Sequence, residues 1–309
     1  MKTLAILTSM LWLFGGASPQ PAPQRTIPPA TDGKLNVIAF GAHPDDCDQR
    51  AGGVAAKYAA MGHRVRFVSV TNGDAGHQSE GGGALAARRR AEAREAGRRI
   101  GVEYVVLDNH DGQLVPSVDV REQVIRQIRQ WNADLVLAPR PNDYHPDHRY
   151  TGILIQDAAY MVVVPNIASD TPALRKNPVF MYFEDGFEKP QPFRPDVAVS
   201  IDDVIEKKID MLDAHVSQMY EWLPWVAGDD ALAKVPKDAA ARRRWLGDTS
   251  GAAPSAAVKA ALAKWYGAEK ANAVRSAEAF EICEYGTRPD EAMIRKLFPF
   301  FPGASASSR

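Results

Sequence analysis

The sequence predicts an α/β protein: a Rossmann-like three-layer α/β/α sandwich with a mostly parallel sheet and a helical C-terminal addition. Three observations carry that prediction. Short β-rich apolar runs alternate with helical stretches between residues 35 and 220, which implies parallel strands with helices on both faces. Two of these runs, 36–40 and 133–139, stop at clusters of His and Asp, and strand ends are where an open sheet exposes side chains to a ligand. The 309 residues suffice to bury one full core.

The elements follow in order. Residues 36–40 form the first strand, and 49–61 a helix whose Gly52 and Gly53 let its first turn pack closely beneath the strand end. A second strand spans 64–70 and ends in Thr71-Asn72-Gly73-Asp74; a helix rich in Ala and Arg covers 84–99, and a third strand 104–107. Helix 118–131, strand 134–138 and helix 149–162 come next, then strands at 179–183 and 197–201 and a helix over 204–220. Residues 222–275 read as a helical insertion or cap at the cleft mouth, and the aromatic stripe of Trp222, Trp225, Trp245, Trp265 and Tyr266 reads as core.

The ends differ in character from this central domain of residues 34–298. Lys2, an apolar run over 4–14 and Gly15-Gly16-Ala17 form a signal peptide over 1–17, too short to span a membrane. The Pro-rich stretch to residue 33 reads as a disordered linker, and 299–309 as a disordered tail. The mature protein is therefore expected outside the cytoplasm, periplasmic or secreted. With 37 basic against 38 acidic residues there is no electrostatic footprint for nucleic acid, so a small-molecule or glycan substrate fits better. Cys47 and Cys283 are the only cysteines, which excludes a disulfide scaffold and leaves their pairing to the fold.

Imidazole with carboxylate is the ligand set of a catalytic zinc site. His43 and Asp46 can share one ion, which leaves Asp45 beside it as a candidate base. His-Pro-Asp-Asp alone reads equally well as a turn. The second cluster, Asp143-Tyr144-His145-Pro146-Asp147-His148, decides for a shared metal. Spacing does not choose between His145 and His148 as the third ligand. The loop 73–83, with three consecutive glycines, is no phosphate loop, because Ala84-Leu85 stand where Lys and Ser or Thr are needed. Asp74 there is a candidate neighbour of the metal site.

These motifs resemble those of the LmbE-like or PIG-L deacetylases, zinc hydrolases that remove acetyl from N-acetylglucosamine units. Ala42-His43-Pro44-Asp45-Asp46 and His145-x-Asp147-His148 carry the resemblance. Arg89-x-x-Glu92, Asp111-Gly112, His215-x-Ser217-Gln218 and Glu278-Ala279-Phe280 follow in family order. Cys47 stands where the family often has Glu. The resemblance implies His43, Asp46 and His148 as ligands of Zn²⁺, a set that Fe²⁺ could also use. It implies Asp45 as base and His145 as oxyanion stabiliser or proton donor to the amine, with Asp147 as partner of His145. Arg89 and Asp111 are implied to bind substrate. The expected function is hydrolysis of the N-acetyl group of an N-acetylglucosamine-containing substrate. Its alternatives are hydrolysis of another amide, ester or lactone bond, and carbohydrate binding without catalysis, against which the intact Asp45 argues.

Overall fold

A computed structural model describes residues 33–249 and 253–302 of the chain. The expected signal peptide, all but the last residue of the expected linker and residues 303–309 lie outside the described residues. Among the described residues no helix is long and apolar enough to cross a membrane.

The strands are β1 (Asn36–Gly41), β2 (Arg64–Thr71), β3 (Glu103–Asn109), β4 (Leu135–Ala138), β5 (Val179–Phe183), β6 (Val197–Ser200) and β7 (Ala277–Gly286). They form one sheet in the order β3-β2-β1-β4-β5-β7-β6. The pairs from β3 to β5 are parallel, and β7 runs antiparallel between β5 and β6. Successive residues of a strand face opposite sides. Val37 and Ala39 of β1 therefore enter one core, and Ile38 and Phe40 the other.

Helices α1 (Asp46–Ala60), α2 (Gly82–Ile100) and α5 (Ile205–Asp213) cover the first face, through Val54, Ala93 and Met211 among others. Helices α3 (Val118–Trp131) and α4 (Pro146–Met161) cover the second, through Ile125, Ile128, Leu154 and Ile155. The predicted three-layer arrangement is present.

Four expectations are corrected. The helix expected over 204–220 ends at Asp213, and a π-helical turn follows at Ser217–Trp222. Side chains cause the break: His215 turns to Asp48 at 3.0 Å, and Ser217 gives its N–H and hydroxyl to Glu92 at 3.0 and 2.5 Å. Strand β7 was not anticipated, because acidic residues interrupt its apolar pattern. Glu278 on it is buried and accepts from the N–H groups of Gly53 and Val54 and from Lys208.

The expected helical cap divides. Short helices α6 (Leu223–Val226) and α7 (Asp229–Ala233) and helix α8 (Ala239–Thr249) stay near the cleft side, while α9 (Ala256–Tyr266) and α10 (Ala268–Ala273) pack on β6 and β7 through Val258, Leu262 and Ala271. The expected tail begins too early. Phe301 stacks on Trp265 at 4.9 Å, and Phe300 meets Tyr58 at 5.1 Å beside α11 (Glu291–Leu297), since two phenylalanines supply too much apolar surface to stay in water. The two thiols are free, with Cys47 in the first core and Cys283 in the second, so the sheet separates them.

The connections place the site. From β1 the chain adds β2 and β3 on one side, then returns to add β4 and β5 on the other. The crevice at the carboxyl ends of β1 and β4 is therefore the topological switch point, where such sheets bind ligands. Two close approaches bring the motif loops there. A Cβ on Gly41 would lie 2.6 Å from the Asp46 Cβ, so only glycine lets α1 start against the end of β1. A Cβ on Gly152 would lie 2.7 Å from the backbone of Arg140 and Pro141, which seats α4 against the exit of β4. Gly152→Ala is accordingly expected to destabilise by about 1–3 kcal/mol and lower the melting temperature by roughly 2–10 °C. An unchanged melting curve would show that this approach does not constrain α4.

Candidate active site

Three donor atoms converge at the switch point. His43 Nδ1 lies 3.2 Å from His148 Nε2; Asp46 Oδ2 lies 3.7 Å from the former and 3.5 Å from the latter. A tetrahedral ion with bonds of 2.0–2.1 Å has ligand atoms roughly 3.3 Å apart. The triangle therefore matches such an ion in size, and two imidazole nitrogens at 3.2 Å need a cation or a shared proton between them.

The far side of each ring is fixed by a carboxylate. His43 Nε2 donates to Asp111 Oδ1 at 3.0 Å, with Asp147 Oδ2 at 3.4 Å, and His148 Nδ1 faces Asp143 Oδ2 at 3.1 Å. Such partners set the tautomer of the neutral rings, which leaves the lone pairs on His43 Nδ1 and His148 Nε2. Among the described residues two further groupings have ligand atoms within 4.8 Å of one another: His43 with His145 and His148, and His43 with Asp111 and Asp147. His145 differs in its support, since its Nδ1 accepts the Asp147 N–H at 3.2 Å. The donor geometry thus favours His148 over His145 as the third ligand.

Protonation follows from these contacts. Burial drives the His43 pKa down, but Asp111, Asp147 and Asp46 outweigh it and hold the ring well above its ordinary value. Burial likewise opposes the His148 ring charge, and Asp46 and Asp143 overcome it. His145 is shifted the other way, by burial and then by the neighbouring His43 and His148, so it is neutral near pH 7. Burial raises the Asp45 carboxyl, Arg89 pulls it back and Asp46 adds to the rise; the net shift is upward.

Asp45 is 3% exposed and held at both oxygens. Arg89 Nη2 donates to Oδ1 at 3.0 Å, and Gln49 Nε2 to Oδ2 at 2.9 Å. Arg89, expected to bind substrate, lines the cleft and turns its guanidinium to Asp45 and the Gly73 carbonyl. Asp111 likewise holds a ligand ring first, with its Oδ2 3.7 Å from Arg89. The side chain of Asp147 is not the partner of His145: it accepts from the Gly112 N–H at 2.7 Å and faces His43, and only its backbone reaches His145. Asp74 stands one layer out, accepting from the Asp111 N–H at 3.0 Å and pairing with His110 at 2.6 Å.

Asp143 had no role in the sequence reading beyond its place in the motif. Asp143→Asn removes the charged acceptor from His148 and is expected to weaken metal affinity about 10–100-fold. Competition against a chromophoric chelator measures it, and an affinity within twofold of the parent would sink this role for Asp143.

A cleft of about 480 Å³ opens over these groups. Its mouth is aromatic and apolar: Tyr144 and Phe187 on loops at one side, Trp222 of the π-helical turn and Leu223 and Val226 of α6 at the other. Trp222 and Trp225, expected in the core, stack on each other at 5.3 Å at this mouth, whereas Trp265 is buried. The loop 73–83 is tied to the π-helical turn by His77, which meets Glu221 at 2.9 Å, while Arg88 of α2 donates to that same carboxylate and to Glu80 of the loop, both at 2.8 Å.

Comparison with known proteins adds relatives. A family profile described as PIG-L, GlcNAc-PI de-N-acetylase, matches residues 38–159. A diacetylchitobiose deacetylase of Thermococcus kodakarensis is 31% identical over 204 residues, 61% of this chain and 73% of that protein. A probable N-acetyl-α-D-glucosaminyl L-malate deacetylase 2 of Bacillus cereus is 27% identical over 222 residues, 68% of this chain and 94% of that one. Among solved structures, the N,N'-diacetylchitobiose deacetylase of Pyrococcus horikoshii superposes with a TM-score of 0.59 at 28% identity, covering 80% of this chain and 83% of its own.

Proposed function

The chain belongs to the PIG-L family of GlcNAc-PI de-N-acetylases, and from that membership we propose that it is a zinc-dependent N-deacetylase acting on an N-acetylglucosamine-containing small molecule or glycan. The observation that carries the reading is the triangle of His43, Asp46 and His148 donor atoms beside a buried carboxylate that is not part of it. Two nitrogens and one oxygen suit Zn²⁺, with Fe²⁺ the other ion for that set. Held by these three residues, the ion would supply Lewis acidity that polarises an amide carbonyl and acidifies a water.

The protein's own groups do the rest. Asp45 takes the proton of the attacking water, its raised pKa bringing it nearer the working pH. Arg89 and Gln49 keep its carboxylate from rotating away. His145 is neutral and accepts at Nδ1, so its proton sits on Nε2, free to donate to the carbonyl oxygen as charge develops there. When the C–N bond breaks, acetate leaves and Asp45 returns its proton to the amine.

The signal peptide over residues 1–17 makes export part of this proposal. An exported enzyme would meet envelope glycans, chitin fragments or glycosylated natural products. The test compares amine release from N-acetylglucosamine and N,N'-diacetylchitobiose with cleavage of matched acetate esters and lactones by one metal-loaded preparation. Amine release is expected at the highest kcat/KM; ester or lactone cleavage without amine release would move the activity to another bond.

A further inference from the structure

A second concavity, of about 350 Å³, lies beside the cleft where α5, the π-helical turn, α6 and α8 meet. Its walls include Leu212, Met219, Leu223, Pro224, Trp245 and Leu246. Lys208 is the one charged residue in this lining, and its Nζ is turned away to the Gln49 carbonyl and Glu278, both at 2.7 Å. It therefore offers the groove its methylene stem. The groove borders the active cleft, since Gln49 and Leu223 line both. Gln49 is also the side chain bonded to Asp45, so an occupant of the groove lies within one residue of the base.

The apolar surface does not stop at the groove. On α6, Leu223, which lines both concavities, and its neighbours Trp225 and Val226 are 39%, 46% and 58% exposed. Contiguous apolar surface beside a polar catalytic centre marks a ligand-binding groove.

Resting on the deacetylase reading above, we propose that this groove is an aglycone subsite that takes an alkyl or acyl chain attached to the N-acetyl sugar, reaching it from the cleft across Leu223. The shared wall argues for part of the substrate as the occupant, since a second molecule docking there would crowd the same residue that borders the reacting sugar.

The test is kcat/KM for methyl, butyl, octyl and dodecyl N-acetylglucosaminides with the metal-loaded protein. The value is expected to climb with chain length by up to about four-fold per methylene, the equivalent of ~0.8 kcal/mol for each CH₂ removed from water, until the groove is full. Ala231→Trp, which fills the groove from its partly exposed rim, is expected to flatten the series while leaving the methyl glycoside unchanged. Ala227→Phe gives the same reading from a second, exposed position. Hydrolysis of the methyl glycoside with a flat series in the parent overturns the subsite, as does an unaltered slope in both variants. Hydrolysis of no member of the series overturns the deacetylase reading itself.

Discussion

Asp45→Asn lowers kcat by about 10²–10⁴-fold, the usual worth of a positioned acid–base group, and leaves metal content and melting temperature close to the parent's. The near-isosteric change keeps an oxygen for Arg89 at 3.0 Å, and Gln49 can turn its own amide oxygen to the new NH₂ group. What is lost is the ability to hold a proton. Burial raises the carboxyl pKa in the parent, with Arg89 limiting the rise, so the group takes up a proton more readily than a free aspartate. Steady-state kinetics with metal analysis on the same sample decides the matter. Near-parent turnover in a metal-loaded Asp45→Asn protein would remove Asp45 from the role of base.

The second large effect separates the two histidines at the start of α4, the capping His145 and His148 within the helix. His148→Ala is expected to lose the divalent ion and with it activity, because only two ligands remain of a set that needs three. His145→Ala is expected to keep roughly one ion per chain while kcat falls about 10²–10³-fold, the cost of one donor to a developing oxyanion. The asymmetry rests on what stands behind each ring: Asp143 behind His148 at 3.1 Å, and a backbone N–H behind His145 at 3.2 Å. Metal analysis after dialysis at a buffered free-metal concentration reads the difference. Metal lost from His145→Ala and retained by His148→Ala would reverse the assignment.

Much of the site was legible because its reactive groups are local. His43, Asp45 and Asp46 are near neighbours at the end of one strand, and His145 to His148 open one helix, so two short motifs reveal most of the chemistry. The supporting contacts were not legible, because they cross the fold. Arg89 meets Asp45 over 44 positions and Asp111 meets His43 over 68, contacts that no local spacing shows. Asp143 was in view but without a role, since its bond to His148 depends on how α4 begins. In the fold, the alternation of strands and helices gave the parallel part of the sheet. β7 escaped because Glu278 and Glu281 sit inward on it, satisfied by Lys208, by backbone N–H groups and by the nearby Arg140, so a buried strand carries the charge pattern of a surface one. Trp222 and Trp225 show the reverse case: aromatic spacing that suggested core stands at the cleft mouth.

The most direct test of the central claim is acetate and amine release from N-acetylglucosamine derivatives by protein stripped with a chelator and titrated with Zn²⁺. No hydrolysis is expected before the titration, then a rate that climbs in proportion to metal until roughly one ion per chain is bound, with equal amounts of acetate and amine. Hydrolysis that persists in the stripped protein, or a fully loaded protein that releases no amine from any N-acetyl sugar, would contradict that claim.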